Sequence, residues 1–124
     1  MNVAILGASA KKDRYSYRAL RSLIDKGHKV FPVNPNLAEI EGLKVYPSLG
    51  SLPEKADTIT VYLAPYRSEP LTEDIISAKP RRVIFNPGAE NPGLMERLEV
   101  NGIKGVTACT LVMLSLGNFD DKLT

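Results

Sequence analysis

Residues 6–17, LGASAKKDRYSY, carry the residue types best suited to chemistry in this 124-residue chain. The apolar run 3–6 leads straight into Gly7, which permits a tight turn. Ala8 and Ser9 are small, so backbone N–H groups can approach phosphate oxygens, and Ser9 adds a hydroxyl donor. The pattern then departs from a dinucleotide-binding turn. The next glycines of G-x-G-x-x-G would fall at 9 and 12, where Ser9 and Lys12 stand instead. Lys11, Lys12 and Arg14 crowd the turn with only Asp13 among them, and Arg67 follows a later strand. The planar fork of an arginine suits bidentate contact with phosphate. The chemistry implied is recognition of an anionic, phosphate-bearing ligand.

The end of the second strand narrows that ligand. In an NAD-binding domain this position carries Asp or Glu, which accepts hydrogen bonds from the ribose 2′-hydroxyl. Here residues 32–35 read PVNP, and no carboxylate follows until Glu39. Its absence fits a ligand with a phosphorylated ribose, namely NADP or coenzyme A, bringing roughly three to four negative charges. No catalytic set accompanies the turn. His28 is the only histidine and precedes the second strand, at the edge opposite the ligand. Glu69, Glu73 and Asp74 fall in the first turns of a helix, where carboxylates suit its dipole. The chain is expected not to be an enzyme.

The elements that must position these residues alternate. Residues 3–6 form an apolar strand of the kind buried on both faces. Ser16 reads as the N-cap of a helix with Tyr17, Leu20, Leu23 and Ile24 on one face, and Gly27 ends it. Residues 29–33 form a second strand, stopped by Asn34-Pro35, and 44–46 a short extended piece before a helical turn near 48–52. Residues 58–63 form a central strand, stopped by Ala64-Pro65, and Ser68 caps a helix running to about Ala78. Residues 82–85 are a strand stopped by Asn86-Pro87-Gly88. Asn91-Pro92 starts a helix that Asn101-Gly102 ends, and 104–108 is the last strand. The apolar stretch 110–116 is a closing helical turn or a surface covered by a partner or a second copy.

This alternation predicts a single α/β domain over residues 1–124: a Rossmann-type doubly wound parallel sheet. The strand order, counted along the chain, is 3-2-1-4-5-6, with 44–46 as a short third strand at the edge. Ligands of such sheets lie outside the carboxyl ends of the strands, where the order reverses. Residues 7–17, 34–36 and 64–67 converge there, with Asn86 and Cys109 further along the same edge.

Composition excludes several classes. A 44% apolar and 24% charged chain of net charge +2 is an ordinary globular protein with too little positive charge to imply nucleic acid. No apolar run reaches the ~18 residues of a membrane span, and no signal peptide is evident, so a cytoplasmic location is expected. One cysteine and one histidine make neither a disulfide nor a thiolate–imidazole metal cluster.

The run VAILGASAKKDRYSYRALRSLIDKGHKVFPVNP, followed by LKVYPSLGSLPEKAD, resembles the small stand-alone CoA-binding proteins. Their Rossmann-type domain is similar to the N-terminal domain of the succinyl-CoA synthetase α subunit. The resemblance implies coenzyme A phosphates at Ala8-Ser9, Arg14 and Ser16-Tyr17, beside the Gly7 and Lys11 already read from the turn itself. It implies adenosine near Asn34, Pro35, Ala64 and Pro65, with Arg67 standing in for an arginine that family members carry just after the central strand. Where they carry a glutamine-containing loop, this chain has Asn86-Pro87-Gly88-Ala89. Of Tyr15, Tyr17 and Tyr66, one or two are candidates to line the adenine pocket. The helical spacing of Tyr17 places it in the core, and Tyr66 is the better candidate for stacking. Cys109 is either a small residue closing a strand or a thiol within reach of the CoA thiol, able to form a mixed disulfide. The expected function is binding of CoA or an acyl-CoA by a non-catalytic carrier, sensor or thiol-protecting module. The alternatives are an NADP-binding redox domain and a ligand-free interaction domain.

Overall fold

The computed structural model describes residues 1–120. Five strands make one parallel sheet: β1 (Asn2–Leu6), β2 (Lys29–Val33), β5 (Thr58–Val61), β6 (Arg82–Phe85) and β7 (Lys104–Thr107), in the order β2-β1-β5-β6-β7. The register runs Leu6 beside Val33 and Val61, and Val61 beside Phe85, so these strands end nearly level. Every residue of β5 and β6 is buried, which is why β5 reads as a continuous β-branched run and β6 as an apolar run after Arg82.

Alternating side chains feed two cores. Ala4, Leu6, Ile59, Val61, Val83 and Phe85 face α3 (Thr72–Ala78) and α4 (Pro92–Val100). Val3, Ile5 and Ile84 face α1 (Tyr15–Asp25) and α5 (Thr110–Leu116), where Leu20, Leu23 and Leu114 are buried against them. The sheet is thus covered on both faces, as a doubly wound α/β domain requires.

Three sequence expectations are corrected. Residues 44–46 do not form a third strand of the sheet. Lys44 belongs to a small antiparallel hairpin of β3 (Glu39–Ile40) and β4 (Leu43–Lys44), and only Tyr46 bridges β2, in parallel beside Val33. Ser48 already enters a 3₁₀ turn over Leu49–Ser51, so one residue is all that remains to pair. Ser16 is not the N-cap of α1: Arg14 is, in extended conformation, and Ser16 is buried in the first turn. Ser68 does not start a helix. The chain turns helical at once in α2 (Pro65–Ser68), because Pro65 at its first position has a φ already set for a helix. Ser68 donates to the Pro65 carbonyl at 3.3 Å and receives the Asn91 amide at 3.2 Å. Asn91 caps α4 as expected, accepting from the Leu94 amide at 3.2 Å. The 110–116 stretch is the closing helix, with Val112 and Leu116 exposed.

His28 lies at the amino end of β2. Its ring is packed edge-on to Phe119, with Nδ1 3.1 Å from the Met1 ammonium and Nε2 3.1 Å from an Asp120 carboxylate oxygen. Arg82 is buried beside it, donating to Thr58 Oγ1 at 2.9 Å and to the Phe119 carbonyl at 2.7 Å. This end of the sheet is sealed, and the open end is the opposite one.

Candidate functional site

At the carboxyl ends of β1, β2 and β5 lies a cleft of about 800 Å³, a volume within the usual range for cofactor sites. It sits where the strand order reverses, β1 turning toward β2 on one side and toward β5 on the other. Its walls come from the β1–α1 turn, the β2 end, the 3₁₀ turn after Tyr46, the β5–α2 connection and the turn after β6.

The β1–α1 turn is held from below. Gly7 has φ +94°, and a Cβ there would sit 2.9 Å from Leu63 Cδ2 and 3.3 Å from the Tyr62 carbonyl carbon. Only glycine meets both demands. The amides of Gly7 and Ala8 both donate to the Val33 carbonyl at 3.2 Å. This corrects the expectation that the Ala8 N–H faces a phosphate, since it anchors the turn to β2. The amide of Ser9 has no partner among the described residues, and the Ser9 hydroxyl accepts from the Lys11 amide at 3.1 Å. No side chain caps α1, so the amides of its first turn lack intrahelical partners. Arg14, Tyr15 and Ser16 line the cleft at that helix start.

Asn34 occupies the position where an NAD-binding domain carries a carboxylate. Its amide group donates to the Ala8 carbonyl at 2.8 Å, and its Oδ1 accepts from the Asn36 amide at 2.7 Å. It ties the β2 end to the phosphate-type turn and brings no negative charge.

Most of the expected residues meet on the cleft wall: Gly7, Ala8, Ser9, Lys11, Arg14 and Ser16 from the first turn, Asn34 and Pro35 from the second, Ala64 and Arg67 from the third. Five expected residues stand off it. The Tyr17 hydroxyl donates to the Glu41 carboxylate, and that bond raises its pKa while the ring packs on the α1-side core. Pro65 and Tyr66 lie on α2, where Tyr66 is 77% exposed. Asn86 is buried beneath the cleft with its amide fully used: Nδ2 donates to Thr60 Oγ1 at 2.7 Å and the Val61 carbonyl at 2.9 Å, and Oδ1 accepts from the Thr110 amide at 2.8 Å. Cys109 is the partly exposed N-cap residue of α5.

Of the three tyrosines weighed for the adenine pocket, Tyr15 is the one on the wall, 65% exposed and 5.4 Å from the Arg18 guanidinium. Sequence reasoning missed other wall residues. Pro47, Ser48 and Leu49 carry no charge and reach the wall only because Tyr46 docks on β2. Asp74 brings a carboxylate from α3. Tyr62 follows β5 and lines the cleft, though its apolar context reads as core filling. An aromatic residue directly after a central strand at the reversal point is the signal that could have flagged it.

Comparison with known proteins fits this geometry. Residues 1–115 match the family model described as the CoA binding domain. The chain is 26% identical over 119 residues to an ADP-forming acetate–CoA ligase of Methanocaldococcus jannaschii, covering 96% of this chain and 14% of the ligase. It spans between 9% and 44% of the length of the curated relatives it matches. Among solved structures, one described as an uncharacterized protein superposes with a TM-score of 0.89 at 42% identity, over 95% of this chain and 97% of that one. A conserved hypothetical protein of Pyrococcus furiosus gives 0.81 at 34% identity, over 90% and 97% respectively. No helix among the described residues is long and apolar enough to cross a membrane. The pattern of a basic, glycine-poor turn over a doubly wound sheet thus has a family: the chain belongs to the CoA binding domain family.

Proposed function

We propose that this chain binds coenzyme A or an acyl-CoA in the cleft at the β1–β5 reversal, as a non-catalytic cytoplasmic carrier, sensor or thiol-protecting module. The observation that carries this reading is that Lys11, Arg14 and Arg67 line one cleft with the uncapped first turn of α1. Unpartnered helix-start amides and the dipole favour an anion there, and the cations match several negative charges. The phosphates meet Ser9, Lys11, Arg14 and the amides of α1. The adenosine lies toward Asn34, Pro35 and the 3₁₀ turn at Leu49–Ser51. An uncharged Asn34 tolerates the ribose 3′-phosphate that a carboxylate would repel. The relatives that share this domain include proteins named as acetate–CoA ligases, which supports CoA over NADP.

Cys109, the one thiol of the sequence, stands at the start of α5 beside Tyr62. Its thiolate would attack a CoA disulfide, forming the protein–CoA mixed disulfide and releasing one CoA thiolate.

Arg14→Ala tests the phosphate site. Calorimetric titration with CoA is expected to show affinity reduced by about tenfold to a hundredfold, as loss of a charge-assisted hydrogen bond of ~1.5–3 kcal/mol would give. Unchanged affinity would remove Arg14 from the site.

A further inference from the structure

The Tyr62 hydroxyl is the feature of the cleft that the proposed phosphate and adenosine contacts leave unused. Tyr62 lines the cleft, yet its hydroxyl is out of water and has no hydrogen-bond partner among the described residues. The reason is visible around it. The nearby Thr60 and Thr110 hydroxyls bond each other at 2.8 Å, and Thr60 also receives the Asn86 amide at 2.7 Å. The network closes without the tyrosine. Burial pushes the phenol up to about 12, opposed by the two threonines, and Cys109 stands close enough to contribute to the shift. The phenol is therefore a neutral O–H beside the two threonine hydroxyls but in hydrogen-bond geometry with neither. A buried hydroxyl left unpaired is a standing cost, which a partner arriving in the cleft would remove.

We propose that the Tyr62 hydroxyl is the donor for an amide carbonyl in the pantetheine arm of the ligand, reached by rotation of the side chain toward the cleft it lines. This rests on the CoA reading above and adds where the arm runs: along β5 toward Cys109 at the start of α5. The charge pattern assigns the arm to this side. The groups around the Tyr62 hydroxyl are the Thr60 and Thr110 hydroxyls and Cys109, with the Asn86 amide on Thr60. The cations of the cleft, Lys11, Arg14 and Arg67, lie instead on the β1–α1 turn and on α2. An uncharged, amide-bearing segment suits the first environment and phosphates the second. The Tyr62 amide donates to the Leu6 carbonyl at 2.9 Å, so the backbone stays fixed at the floor of the phosphate turn while the side chain moves.

Tyr62→Phe keeps the ring and removes only the donor. Wild type and variant are titrated calorimetrically with CoA and with 3′,5′-ADP, which carries the adenosine phosphates without the arm. The expected result is a five- to tenfold loss of CoA affinity in the variant, unchanged 3′,5′-ADP affinity, and a melting temperature equal to or above that of wild type. Equal CoA affinities in the two proteins would overturn the assignment and leave the CoA reading intact. An equal loss on both probes would also overturn it, since that reports a general disturbance of the cleft. Wild-type protein that fails to bind CoA would overturn the CoA reading itself, and this assignment with it.

Discussion

Gly7 shows how far one residue governs the site. Its φ of +94° turns the chain out of β1, and the space its missing side chain leaves is filled by Leu63 at the β5 end. The two amides at 7 and 8 then reach the same Val33 carbonyl, which clamps the turn to β2. A methyl group at this position meets both a disfavoured backbone region and Leu63 Cδ2 at 2.9 Å. Gly7→Ala is expected to lower stability by about 1–3 kcal/mol, read as a reduced urea midpoint at unchanged m-value. An unaltered midpoint would mean that the turn relaxes at no cost. Asn34 and Asn86 make a related point. Both belong to Asn-Pro turns after strands, and each side chain serves the scaffold, Asn34 at the cleft wall and Asn86 beneath it. Residue type and chain position are the same, so sequence alone does not separate them. What separates them is which strand neighbours them: Asn86 sits over the Thr60–Thr110 pair, and that pairing exists only once α5 folds back.

At the scale of elements, the strands and the α4 cap were legible because each carries its own local signal: a β-branched run for β5, the apolar Val83–Phe85 run for β6, Asn-Pro for α4. The α1 start was misplaced because Ser16 has the right type for a cap, while the chain uses Arg14 and leaves the helix end open toward the cleft. The absent cap is itself a feature of the site, since a capped helix would have fewer amides to offer an anion. The third strand failed for a different reason. The hairpin of β3 and β4 claims Lys44, a competition that no local propensity reveals.

The segment after α5 is anchored by contacts that span the chain. Phe119 is buried beneath Arg82, whose guanidinium lies 4.5 Å from the ring, and against His28. Burial holds the His28 imidazole below its usual range, outweighing the nearby Asp120 carboxylate, with the Met1 ammonium and Arg82 acting in the same direction as burial. A histidine whose folded pKa is depressed binds fewer protons folded than unfolded. Stability is then fully present above the unfolded value of 6.5 and is lost as pH falls below it. The urea midpoint is expected to fall between pH 7.5 and 5.5, at no more than about 1.4 kcal/mol per pH unit for a single proton. A His28→Asn variant should show a flatter profile over that window. An identical slope in the variant would assign the dependence to another group.

For the whole molecule, the sheet divides labour between its two ends. The amino ends of the strands are closed by Met1, His28, Arg82 and Phe119, while the carboxyl ends open onto the cleft. Closing one end and opening the other brings the uncapped start of α1 and a local excess of cations together at the cleft. Five of the chain's 16 Lys and Arg residues fall between positions 11 and 21, so a net charge of +2 understates the field at the cleft. The central claim is that this end holds a ribose-phosphorylated, pyrophosphate-bearing ligand of the CoA type. Parallel calorimetric titration of the reduced protein with CoA, dephospho-CoA, NADP and NAD tests it most directly. The account predicts micromolar binding of CoA, weakened by loss of the 3′-phosphate and by added salt, with NADP and NAD weaker still. Binding of none of the four, or NADP bound more tightly than CoA, would contradict it.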